Sequence, residues 1–97
     1  MKENDYHLSL KKEIEHFLAA LRHYTLQPVG VERQRLASVM EGHLKVILAT
    51  VPEIKRLGIH KEAVAVENAF KAYMKSASAE NYAALEHTVV TLNDFNC

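Results

Sequence analysis

The chain has one cysteine, two prolines and three glycines in 97 residues, no net charge, and no long apolar run. Each shortage excludes something. Cys97 stands alone as the final residue, so no intrachain disulfide is expected, and paired-cysteine zinc arrangements are absent. A reducing, cytoplasmic setting fits that usage best. The terminal thiol is not a prenylation box, which needs its cysteine four residues from the end, and it reads as a surface group on a frayed tail. The polar opening Met1-Lys2-Glu3-Asn4-Asp5 has no apolar stretch behind it, so neither a secretory signal nor a membrane span is expected. Twelve basic against twelve acidic residues leave no long-range field to draw in nucleic acid or an anionic membrane, and neither is expected as a partner. So little glycine and proline argues against a disordered or collagen-like chain.

What remains is an ordinary globular composition, 48 % apolar and 25 % charged, of a length that makes a single domain over 1–97. The stretch Leu36 to Val51 organises it. Leu36, Val39, Met40, Leu44, Ile47 and Val51 recur at the spacing of a buried helical stripe, His43 falls on that stripe, and Val46 and Leu48 flank it on opposite sides. A helix with so wide an apolar arc needs neighbours on more than one side.

The neighbours have narrower stripes. Tyr6, Leu10, Ile14, Phe17, Leu18, Leu21 and Tyr24 mark a first helix with Asp5 as its N-cap, stopped by Gln27-Pro28-Val29-Gly30. Ile59, Ala63, Val66, Phe70, Tyr73 and Ala77 mark a third, and Tyr82, Leu85, Val89 and Leu92 a fourth that Ser78 caps. The spacing predicts helices near 5–26, 31–50, 60–76 and 79–95, with an extra turn at 53–58 that starts beside Pro52 and ends at a left-handed Gly58. The β-branched run Thr88-Val89-Val90-Thr91 keeps helical phase through Leu85 and Leu92. Short connections force neighbouring helices antiparallel, so the expected fold is all-α, an up-down-up-down four-helix bundle.

Six histidines raise the question of a metal or haem. His16 and His23 lie on the solvent side of helix one, and two helical turns separate them by about 10.5 Å, too far to share an ion. Glu13 and His16 have the Glu-x-x-His spacing of di-iron bundles, but those need a second such pair and two more inward glutamates. No metal or other cofactor is therefore expected. His43 is the candidate functional histidine, and its phase predicts a buried imidazole bonded to the hydroxyl of Tyr24, Tyr73 or Tyr82, or to a water. The alternative is a haem ligand opposite Met40 or Met74, or a phosphate acceptor.

The run Gly42-His43-Leu44-Lys45, in the second helix of a short bundle, looks like a fragment of the histidine-containing phosphotransfer family. The resemblance covers a few residues and implies an exposed histidine that relays phosphate between receiver domains. The run departs from the family pattern: Lys45 comes two rather than three positions after His43, no glycine follows it, and the helical phase turns His43 inward.

No glycine-rich phosphate loop, nucleophile-base order or inward carboxylate pair is present, so no catalytic activity is expected. The expected role is that of a small interaction or regulatory module that binds a protein partner or a second copy of itself. Its candidate surface is the excess apolar arc of helix two, Val46 and Leu48, with the cations Arg33, Arg35, Lys55 and Arg56.

Overall fold

The structure, a computed structural model, describes residues 3–96; Met1, Lys2 and the Cys97 thiol lie outside the described residues. It is the all-α bundle the spacing predicts, with α1 Glu3–Leu26, α2 Val31–Thr50, a 3₁₀ turn Val51–Glu53, α3 Ile59–Lys75 and α4 Ala79–Asn96. No strand occurs among the described residues, and no helix is long and apolar enough to cross a membrane. α1 packs chiefly on α2 and α3 chiefly on α4, while α1–α4 and α2–α3 contacts close the ring.

The stripes meet in one core. Leu10, Ile14, Phe17 and Leu21 of α1, Met40 and Ile47 of α2, Val66 of α3 and Leu85, Val89 and Leu92 of α4 are wholly buried. Phe17 meets Phe70 edge-on at 5.9 Å between ring centroids, which joins the two hairpins across the centre. The β-branched run stays helical, and the hydroxyls of Thr88 and Thr91 donate back to the carbonyls of Leu85 and His87, both at 2.8 Å.

Local chemistry explains the boundaries. Ser78 caps α4 as expected, its Oγ accepting the Asn81 N–H at 3.1 Å, while the Asn81 amide donates to the Ser76 carbonyl at 2.8 Å. Two expectations move. α1 already includes Glu3 and Asn4, so Asp5 stands within the helix instead of capping it. The extra turn is at 51–53 rather than 53–58, because Val51 and Ile54 are both drawn into the core and the chain tightens around Pro52 to bury them. The chain is extended at Ile54 and turns again at Leu57 and Gly58, where the Ile59 N–H donates to the Arg56 carbonyl at 3.3 Å; Gly58 is left-handed at φ +86° and opens α3.

Each end of the bundle is closed differently. At one, Tyr24, Tyr73 and Tyr82 stack edge to face, with centroids 5.7 and 6.1 Å apart. Burial raises the Tyr73 phenol above its ordinary value against the pull of the Arg33 guanidinium, and burial followed by the Glu86 carboxylate raises that of Tyr82. In the unfolded chain these phenols therefore lose their protons first as pH climbs past about 10, so stability falls from there until the raised folded values are passed. A phenolate absorbance titration should show a late phase that Tyr73→Phe reduces, and denaturant midpoints should drop over the same alkaline range.

At the other end α4 is pinned to α1. The buried Asn96 amide donates to the His7 carbonyl at 2.9 Å, and His7 Nδ1 lies 2.7 Å from Asn96 Oδ1, a separation at which the ring nitrogen donates to the amide oxygen. Asn96→Ala should cost about 1–3 kcal/mol, because it removes two hydrogen bonds to the half-buried His7 at about 0.5–1.5 kcal/mol each, and should speed amide exchange in the last turn of α4.

Candidate functional site

Among the described residues, the seam between α1 and α2 is where histidines from different helices meet, His16 and His43. On α2 the buried stripe is centred near Met40, and His43 leaves the helix about 60° from that centre, on the side that faces α1. On α1 the stripe runs through Leu10, Ile14, Phe17 and Leu21. Glu13 stands at its edge, and His16 lies one turn further along and further out toward solvent. Antiparallel pairing sets these two edges against each other.

His43 Nδ1 donates to Glu13 Oε2 at 2.6 Å, with side-chain exposures of 27 % and 20 %. The His16 ring lies tilted against that of His43, with centroids 5.3 Å apart. One donor atom from each of Glu13, His16 and His43 falls within 4.8 Å of the other two. This differs from the expected buried imidazole bonded to a tyrosine hydroxyl. The tyrosines gather at the end of the bundle, whereas His43 sits midway along α2, and as an edge residue it meets the carboxylate opposite. The sulfur ligands considered with it are placed elsewhere. Met40 is sealed in the core on the same helix, and Met74 faces a groove between α2 and α3.

Val46 and Leu48 lie on opposite sides of α2, as their helical phases predict. Val46 is 42 % exposed on the α1 side of α2, while Leu48 lies on the far side, partly buried against the core. Leu48 instead helps to floor the α2–α3 groove with Leu44, Phe70 and Met74. Lys45 lies 3.6 Å from Glu41 on one rim, and Lys71 lies 3.9 Å from Glu67 on the other.

The cations are engaged within the chain. The Arg33 guanidinium lies 4.4 Å over the Tyr24 ring, and its Nε is buried without a hydrogen-bond partner. Arg35 forks onto Glu32, raising its own pKa and lowering that of Glu32 through their hydrogen bond. Arg56 donates to the Phe95 carbonyl at 2.7 Å, and Lys55 is likewise engaged.

Glu13 and His16 are the residues that the sequence left out of the site. Their spacing was visible, but their third partner stands 30 positions away on another helix, and only helix pairing brings it near. Comparison of the chain with protein-family models, with curated proteins and with solved structures finds no significant match in any of the three, so what it does is to be argued from its own surfaces.

Proposed function

We propose that this chain is a small cytoplasmic protein-interaction module without catalytic activity, which receives an amphipathic helix of a protein partner in the groove between α2 and α3. The observation that carries this reading is the groove's make-up: Leu44, Leu48, Phe70 and Met74 form an apolar floor about two helical turns long, between rims that each carry an acid and a base four residues apart. A partner helix with apolar anchors at i, i+3 or i+4, and i+7 would cover such a floor. Charges of both signs on both rims favour a helix whose apolar stripe is itself flanked by both, and they fix its register more than its affinity.

The test compares the chain with Leu48→Glu, a partly buried groove residue, after circular dichroism has shown equal helicity. Proteins captured from native lysate by the wild type should be lost on the variant, while both chains sediment as monomers. Capture that is identical for the two removes the groove from the reading. A concentration-dependent mass abolished by Leu48→Glu would overturn the partner helix and give the groove to a second copy.

A further inference from the structure

We propose that Glu13, His16 and His43 form a binding site for one divalent transition-metal ion of zinc-like preference, held across the α1–α2 seam. The proposal is independent of the groove, which lies on the other flank of α2.

Residues at i and i+3 of a helix leave it about 60° apart around the axis and about 4.5 Å apart along it, so Glu13 and His16 reach one spot from one helix. His43 reaches the same spot from the other. Donors around a tetrahedral ion at about 2.0–2.1 Å stand about 3.4 Å from one another. With all three donor atoms within 4.8 Å, the widest pair has at most about 1.4 Å to close, within the reach of side-chain rotation at Glu13 and the exposed His16.

The pair at 2.6 Å, His43 Nδ1 and Glu13 Oε2, has to open by about 0.8 Å, with the ion taking the place of the proton between them; the ring binds as a neutral imidazole, that proton moving through water to Nε2, or to bulk solvent where Nε2 already holds one. Two imidazoles and one carboxylate suit zinc, cobalt, nickel or copper. Magnesium and calcium require oxygen donors in greater number. Because His16 is exposed, the fourth position faces solvent and can take a water or a donor from a partner. Held this way, the ion clips α1 to α2 near the middle of the hairpin.

The chain in a Cys97→Ser background, which removes the thiol as a competing ligand, is titrated with Zn²⁺ by calorimetry and with Co²⁺ by visible absorbance. The expected result is one ion per chain, tetrahedral cobalt bands, shifted ring resonances of His16 and His43, and a Tm raised by roughly 10 °C or more when Zn²⁺ stands about 100-fold above Kd. His16→Ala removes an exposed ring and leaves the fold intact, and with Glu13→Gln it should weaken Zn²⁺ binding at least about 10-fold. His23→Ala should leave it unchanged. Zn²⁺ binding that survives His16→Ala and Glu13→Gln, or no saturable binding by either ion, overturns the site.

Discussion

Phe17→Ala is expected to lower the unfolding free energy by about 3–5 kcal/mol, the range for deleting a buried aromatic ring. Phe17 is wholly buried, and its edge contact with Phe70 is where the α1–α2 hairpin grips the α3–α4 hairpin. The cavity would open between elements tied together elsewhere, so it cannot collapse without parting the hairpins. Against a total of about 5–15 kcal/mol for a domain of this size, the loss takes roughly a fifth of the margin or more. Chemical denaturation should show a lowered midpoint with an unchanged slope, and Phe17→Leu, which keeps most of the volume, should recover much of the loss. A drop under about 1 kcal/mol would mean that the hairpins are not joined there.

Gly58→Val should cost about 2–3 kcal/mol from two sources. At φ +86° a β-branched residue is strained whatever the space around it, and a Cβ placed on Gly58 would stand 3.0 Å from Cε2 of the Phe95 ring. The two can be separated. Gly58→Asn meets the same ring but tolerates the left-handed backbone, so it should fall between wild type and Gly58→Val, while Phe95→Leu beneath Gly58→Val should recover the contact share alone. Thermal melts of the four proteins resolve the order.

The fold was legible because its determinants are local. Each stripe repeats at helical period within one segment, and the short connections within each hairpin, four residues between α1 and α2 and three between α3 and α4, leave those helices little choice but to turn back. The details that differ are those where the core overrides a local signal: Pro52 and Gly58 read as punctuation, but burial of Val51 and Ile54 decides where the turn closes. Gly58 kept the conformation expected of it and changed its role, from the end of one element to the start of the next.

The site was legible only in halves. Glu13-x-x-His16 was visible as a spacing, and His43 as a histidine in an apolar context, but nothing in either segment shows that one edge of α1 lies against one edge of α2. A histidine about 60° from the centre of a stripe is buried or half-exposed according to what its neighbour offers. Here the neighbour is Glu13. The phases of Val46 and Leu48 already put them on opposite sides of the α2 stripe, and what the docking of the hairpins adds is that one side borders the α1 seam and the other the α3 groove.

The meeting of Glu13, His16 and His43 on that seam is tested most directly by proton NMR of the native chain in metal-free buffer. Cross-relaxation between the ring protons of His16 and His43 and from His43 to the Glu13 side chain is expected, with the His16 cross-peaks absent in His16→Ala and the fold otherwise unchanged. Cross-peaks from His43 to the ring of Tyr24, Tyr73 or Tyr82, with none to α1 at Glu13 or His16, would contradict it.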